Sequence, residues 1–435
     1  MKSFLTIFLV LFFVSSVYSQ EDTLLIRYRK KAINYQQSIK MAKHRLSGAK
    51  SKVEAASSDM YPHLDFNGNY RFYGEPLQLA PPSDGSSLIG EETHNFYSLR
   101  LDLYQPILTG GYLSGNKRAA ESEVAMMKSL VNLNKQQITL NSDLLYWNAV
   151  SKKEIAQLYI KYKENIGKFL KVIKDRVDEE IVAPNELYQA QVRYNDAEYK
   201  SIRSEKEYRI SIMELNKLIG FPVNNFTPVA DSLQIVQWNK PKSNITDLAL
   251  EQRPEINYAK SLVIKSKSKE EIVGSEYDPK FGISAGGKWG SPSPGLQLDP
   301  GFNYGFKADL TIPIFYWGIK KEKVFTAKQS TEVAKLQMEE TKDKIKLEVE
   351  SNYYKLERTQ QQLDFAKGSL ENAAKNVAVM LDRYNEGLSS ILEVLDAQLY
   401  WQKTYLNYIL AKYELNIAYS QYLYAIGEFS KIEIN

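Results

Sequence analysis

Four short stretches of this chain alternate apolar with polar residues, and two very long stretches repeat apolar residues at helical spacing. Leu64, Phe66, Tyr70 and Phe72 alternate with Asp65, Asn67, Asn69 and Arg71. Tyr97, Leu99, Leu101 and Leu103 alternate with Ser98, Arg100 and Asp102. Further on, Phe281, Ile283, Ala285 and Trp289 alternate with Gly282, Ser284 and Lys288. Phe302, Tyr304, Phe306, Ala308, Leu310 and Ile312 alternate with Asn303, Lys307, Asp309 and Thr311. Successive strand side chains point to opposite faces, so four two-faced strands are predicted. Each runs about nine to eleven residues, the length of a tilted membrane strand. A half-buried sheet in a soluble domain shows the same alternation, and the strands alone leave both open.

The long stretches shift that balance. From Gly111 to about Glu179 there is no proline, and Ile138, Leu144, Trp147, Ile155, Leu158, Tyr162, Ile166, Phe169 and Ile173 mark a helical stripe. Gly318 to about Glu386 behaves the same way. Nearly seventy helical residues make a rod on the order of 100 Å. Such length without a cap signal points to a coiled coil or a helical array, and the fold expected is one of long antiparallel, coiled-coil-like helices. Membrane-length strands joined to such rods do not suit a compact soluble domain.

The chain also repeats itself. Gln105-Pro106-Ile107 and Ile312-Pro313-Ile314 lie 207 positions apart, from 106 to 313. The same shift carries Tyr146-Trp147 onto Tyr353-Tyr354, Arg176 onto Arg383, Glu186-Leu187 onto Glu393-Val394, and Ile219-Gly220 onto Ile426-Gly427. A common register for all of these implies an internal duplication. Each copy leads with a helical stretch (Thr23 to Ser57, then Thr246 to Ser275), followed by a strand pair, a long helix, a turn and a second helix. The first repeat is expected over 20–220, with strands about 64–104 and its turn about 177–186. A linker with three prolines takes 221–245. The second repeat covers 246–427, with strands about 281–312 and its turn about 384–393, leaving a tail at 428–435.

Composition narrows the setting. Lys2, the apolar run Phe4 to Val14 and small residues to Ser19 read as a signal peptide over 1–19. There is no cysteine, which excludes disulfides, thiol catalysis and a lipid-anchored N-terminus. Beyond the leader no run approaches the eighteen apolar residues of a membrane helix. Lys plus Arg is 56 against 52 Asp plus Glu, too even to point to nucleic acid. Four strands cannot stand alone in lipid, where an open edge leaves a row of backbone groups unpaired. Two copies would close an eight-strand barrel that side chains fill, whereas three would close twelve strands around a channel.

This duplicated order resembles the TolC family of outer-membrane efflux and secretion proteins. Two places carry the likeness. One is the proline at the strand-to-helix junction, Tyr104-Gln105-Pro106-Ile107 and Thr311-Ile312-Pro313-Ile314-Phe315. The other is the turn ending each rod, running from Arg383 through Gly387 to Gln398 and from Arg176 through Pro184 to Gln191. The resemblance covers nearly the whole mature chain. It implies a mainly α protein with a small membrane β-barrel, four strands per protomer. Three protomers would form a twelve-stranded barrel joined to an α-helical periplasmic tunnel, with a collar from the linker and terminal segments. It further implies a passive duct in the outer membrane of a Gram-negative cell. That duct would open when a periplasmic adaptor (a membrane fusion protein) and an inner-membrane RND, ABC or similar pump dock on its tips.

Matching positions carry the family's tip residues over one by one. Tyr384 matches an aromatic that constricts the entrance, and Glu186, Glu393 and Asp396 match acidic positions lining it. In three copies these would stack as negative rings favouring cations. The plainer reading is solvated charge at helix ends. Arg176, Pro184, Arg383 and Gly387 mark the turns expected to meet the adaptor. Ser389 stands where some relatives carry an arginine, and Glu180 replaces the turn glycine seen at Gly387. Different closing contacts are therefore expected, and Pro184 suggests a distinct geometry for the first turn.

Other patterns carry less. Gly282-Ile283-Ser284-Ala285-Gly286 fits a nucleophile elbow but lies in an alternating strand with no histidine after it. His44, His63 and His94 have no paired ligand spacing, so neither a metal nor another cofactor is expected. Asn225 and Asn244 head sequon-like triplets that occur often by chance. Tyr73 and Trp289 at one end of the strands, and Tyr104, Tyr316 and Trp317 at the other, suit interfacial aromatic belts. The loops Gly74 to Asn95 and Gly290 to Gly301 would then face outward. A coiled-coil scaffold would explain the rods without the strands. A pump adaptor would need compact glycine-rich β-domains, and no catalytic constellation supports an enzyme.

Overall fold

The computed structural model describes residues 23–78, 92–236, 238, 244–291 and 299–431. The candidate leader at 1–19 and the expected outward loop tips, at 79–91 and 292–298, lie outside the described residues. In chain order the elements are α1 Thr23–Tyr35, α2 Gln37–Ser58, β1 His63–Gln78, β2 Glu92–Thr109, α3 Tyr112–Asp178 and α4 Pro184–Ile219. The same sequence of elements then recurs as α5 Ile245–Gln252, α6 Pro254–Ser275, β3 Lys280–Ser291, β4 Gly301–Thr311, α7 Ile319–Asn385 and α8 Ile391–Ala425. A short 3-10 turn, Glu428–Lys431, follows. Contacts divide the chain into two compact units, 1–42 with 131–256 and 342–435, and 43–130 with 257–341. Each sequence repeat contributes to both.

The second unit holds the sheet, antiparallel in the order β1-β2-β3-β4. Register keeps its two faces apart. Phe66, Leu101, Gly287 and Tyr304 share one row, and Asn67, Arg100, Lys288 and Asn303 share the next. β1 and β2 span 16 and 18 residues, longer than alternation predicted, because pairing resumes at Leu77–Thr93 beyond a break in register. The expectation that the first strand pair ends near 104, with Pro106 already at the junction to the helix because it lacks the N–H a ladder needs, is corrected, since β2 continues to Thr109. β1 has already stopped pairing at Tyr104, so Pro106 sits where β2 has a neighbour on one side only. A residue without N–H is tolerated there, and the ladder shifts between Pro106 and Leu108. Pro313 lies beyond the end of β4, before α7. Tyr104 falls in a polar-face row with His63, Ser284 and Lys307, its ring lying close over Gly282. It is therefore not part of an apolar-face belt. In the same unit Glu123 of α3 accepts from Lys265 of α6 and from Lys52 of α2, each at 2.7 Å, and these two ammonium groups pull its carboxyl well below the usual carboxylate range, to about 2.

In the first unit the helical stripe of α3 becomes core. Ile155, Leu158, Tyr162, Ile166, Phe169 and Ile173 are all buried. The Ile, Leu and Phe side chains among them each contribute about 1.5–3 kcal/mol by leaving water. Ion pairs position the helices across that core. Arg29 of α1 forms a two-pronged pair with buried Asp143 of α3 at 2.6 and 2.8 Å. Lys412 of α8 bonds Glu154 of α3, and the other Glu154 oxygen accepts from the Leu233 N–H of the connector. Removing either partner of such a pair leaves a buried charge uncompensated.

Both expected lead-in helices are interrupted. The second breaks at Arg253, held extended because Pro254 follows it. The first breaks at Gln36. Each break caps the last helix of its own repeat: Gln36 donates to the Leu218 carbonyl, and Arg253 to that of Ala425. Leu218 and Ala425 are again 207 apart, so the duplication extends to helix closure. The expected tail begins as structure, with Phe429 buried beneath Arg29.

Candidate functional site: the paired helix tips

Each long helix ends in a tight reversal into the next, α3 into α4 and α7 into α8. At the first, the Glu180 N–H reaches the Val177 carbonyl and the Ile181 N–H that of Arg176. At the second, Gly387 reaches Tyr384 and Leu388 reaches Arg383. These are the same 207-residue equivalents and the same helix-ending pattern, with a left-handed residue in the middle. That residue is Glu180 at φ 59° in one and Gly387 at φ 74° in the other. The expectation of a distinct first-turn geometry is therefore corrected: the turn keeps its shape without glycine. Pro184 disturbs nothing because it opens α4, where its missing N–H would have had no helical partner.

The helices leaving the turns are held differently. Ser390 caps α8 with a reciprocal box: its hydroxyl accepts from the Glu393 N–H at 3.3 Å, and its own N–H donates to Glu393 at 2.7 Å. The Ser390 N–H and then its hydroxyl hold the Glu393 carboxyl below its ordinary value. Ala183 precedes α4 with no side-chain cap.

Tyr384, Glu186 and Arg176 are brought together. The Tyr384 ring is 5 % exposed, packs edge-on against Phe169 at 5.4 Å, and lies under the Arg176 guanidinium at 4.8 Å. Its hydroxyl donates to Glu186 at 3.3 Å. Burial, then the Glu186 carboxylate, push that hydroxyl above its ordinary value. Asp396 pairs with Arg193 of α4 at 3.1 Å, and Arg383 reaches the Leu388 carbonyl at 3.4 Å. Sequence reasoning missed Phe169 and Arg193 as parts of the tip. It also missed Ile181 and Leu388, equivalent turn residues that both expose apolar side chains. The 207-residue register was the signal for the last two.

Among the described residues no group of three or more His, Cys, Asp or Glu is placed to hold a metal ion. The Gly282–Gly286 pattern lies inside β3 rather than at a strand-to-helix turn.

The family model described as outer membrane efflux protein matches residues 29–221 and 245–428, one stretch in each repeat. The chain belongs to the outer membrane efflux protein family. Outer membrane protein TolC of Salmonella enteritidis is 20% identical over 395 residues, 88% of this chain and 77% of that one. The Campylobacter jejuni CmeC outer membrane channel superposes with a TM-score of 0.77 at 18% identity, covering 94% of this chain and 90% of the other. The outer membrane protein VceC of Vibrio cholerae gives 0.78 at 15% identity, covering 93% and 96%. The structural matches show the fold, and the family places this efflux protein in the outer membrane, reaching into the periplasm. The family is one of channel proteins rather than enzymes.

Proposed function

We propose that this outer membrane efflux protein is the exit duct of a tripartite system, acting as a homotrimer. The observation that carries this is the sheet. Among the described residues β1 and β4 each pair on one side only, and the apolar rows stand exposed, Phe306 at 85 %. Three copies joined edge to edge would satisfy those backbone groups as a twelve-stranded barrel, apolar side to lipid. Residues 1–19 would be removed on export, and 221–245 would form part of a collar between the repeats. Pro106 and Pro313 would mark the region where each strand pair hands over to its long helix.

The tips would meet a periplasmic adaptor coupled to an inner-membrane RND, ABC or similar pump. Exposed Ile181 and Leu388 support this, since apolar side chains at a helix reversal are costly in water. Arg176, Pro184, Arg383 and Gly387 shape those turns. Glu186, Glu393 and Asp396 would stack as acidic rings at the entrance. Tyr384 would act there through its tie to Glu186, because its ring is packed inside the chain.

Two experiments test the reading. Phe306→Arg sets a charge on the lipid side of the barrel, which costs about 2–4 kcal/mol near the bilayer midplane. Loss of outer-membrane assembly is expected, and normal assembly would contradict a lipid-facing row. Glu393→Ala with Asp396→Ala is expected to lower cation preference in a planar bilayer. Unchanged selectivity would remove the ring from the account.

A further inference from the structure

Resting on the reading that three copies close with the polar side of the sheet inward, we infer that the barrel holds an anion-binding level of its own. Arg100 and Lys288 form it, and its ligand is a soluble molecule carrying several phosphate or carboxylate groups.

Arg100 of β2 and Lys288 of β3 stand directly opposite each other in the ladder. Like charges so placed destabilise a sheet. The rest of the row does not relieve them. Asn67 of β1 pairs with Arg100 and Asn303 of β4 with Lys288, and neither is acidic. Two residues either way along the same face of β3 stand Gly286 and Gly290, which carry no side chain. Arg100 has one relief, Asp102 on its own strand at 3.3 Å. Lys307 is likewise matched by Asp309 at 2.6 Å. None of the four positions adjoining Lys288 on this face is acidic.

The same residues enclose space. A hollow of about 310 Å3 opens over this part of the face, with Arg100, Lys288 and Lys307 around it. Gly286 and Gly305 pair across its floor, so the backbone there is bare. The Asp102 carboxylate lies over Gly286, where an added Cβ would meet its oxygen at 2.5 Å. The chain thus sets a carboxylate of its own at the foot of the hollow, against Arg100. Lys288 has no such group beside it, and an anionic ligand supplies one.

Symmetry turns a weak place into a site. Exposed charges taken singly hold a counter-ion weakly. A threefold axis along the barrel sets the three Arg100–Lys288 pairs at one height, whatever the tilt of the strands. Two cations from each copy then face one lumen, and a molecule with several anionic groups engages more than one pair at once. A singly charged ion gains nothing from that arrangement. The sign is opposite to that of Glu186, Glu393 and Asp396 at the tips, so this level selects a different feature of a passing molecule.

The test is a calorimetric titration of the full-length protein in mild detergent with inositol hexakisphosphate, alongside the mass of the particle. Saturation at one ligand per three chains is expected. Arg100→Gln with Lys288→Gln is expected to weaken binding at least about tenfold. Both side chains are exposed and the double variant relieves a like-charge pair, so the particle mass should not change. Asp102→Asn, which frees Arg100, is expected to tighten binding. Lys43→Gln with Arg45→Gln removes the same charge from the exposed side of α2 and is expected to leave binding nearly unchanged. A trimer by mass overturns the level, while leaving the trimer standing, in any of three cases: no saturable binding, saturation at one ligand per chain, or a loss under tenfold in the Arg100 and Lys288 variant. An equal loss in the α2 variant overturns it too. A monomer by mass overturns the reading on which the level rests.

Discussion

At the first tip a glutamate, Glu180, holds the left-handed position and an alanine precedes the next helix. At the second the same two places are filled by Gly387 and by Ser390 with its reciprocal partner Glu393. The backbone hydrogen bonds of the two reversals are shared residue for residue. A turn of this kind is thus set by the helices it joins, and the local residues set how firmly it is held. The second tip is locally favoured at each position. The first tolerates a strained residue and an uncapped helix start, so it is the turn expected to open more readily. It is offset by the cluster in which Tyr384 of the second repeat packs on Phe169 and reaches Glu186 of the first.

Removing that cluster is the largest way to break the comparison. Tyr384→Ala empties a buried aromatic site and is expected to cost about 3–5 kcal/mol. Val177→Ala, the equivalent position in the first repeat, is expected to cost about 1 kcal/mol. Thermal unfolding of the two variants reads the difference, and equal losses would deny the cluster its role. Exchanging the left-handed residues comes next. Gly387→Ala is expected to lose about 1–2 kcal/mol, and Glu180→Gly to gain up to about 1 kcal/mol. Hydrogen exchange at the two turns reads these locally, and a Glu180→Gly variant that opens faster would show that Glu180 is not strained.

The caps give a smaller effect. Ser390→Ala is expected to cost about 1 kcal/mol at the start of α8, and Ala183→Ser to return a similar amount or less at α4. The smallest signal is in pH. The Glu393 carboxyl is held below its ordinary value, so its support is complete above that value and fades as pH falls through the depressed one. Protection from exchange at the second turn, taken relative to the intrinsic rate at each pH, should fall over that acid range, and Glu393→Gln should flatten the change. No such contrast is expected at the first tip, where the cap is Ala183.

Much of this was legible in the chain. Period two gave the strands, period 3.6 the long helices, and the 207-residue register the duplication and both turns. What the sequence hid depended on distant partners. Pro106 reads as a strand end because proline cannot donate, but whether a donor is needed depends on β1 stopping at Tyr104. Glu180 reads as a departure from the turn because glycine is the easier left-handed residue, yet the flanking helices impose the conformation. The ties from Arg193 to Asp396 and from Tyr384 to Glu186 join residues about 200 apart. No local pattern announces them.

The central claim is that this chain builds its channel only as an assembly in the outer membrane. The direct measurement is to fractionate expressing cells, extract the protein in mild detergent, and determine the mass of the particle. The account predicts outer-membrane material whose protein mass is three times that of the mature chain, itself somewhat below the 49.9 kDa of the full sequence. A soluble particle with the mass of one chain would contradict it.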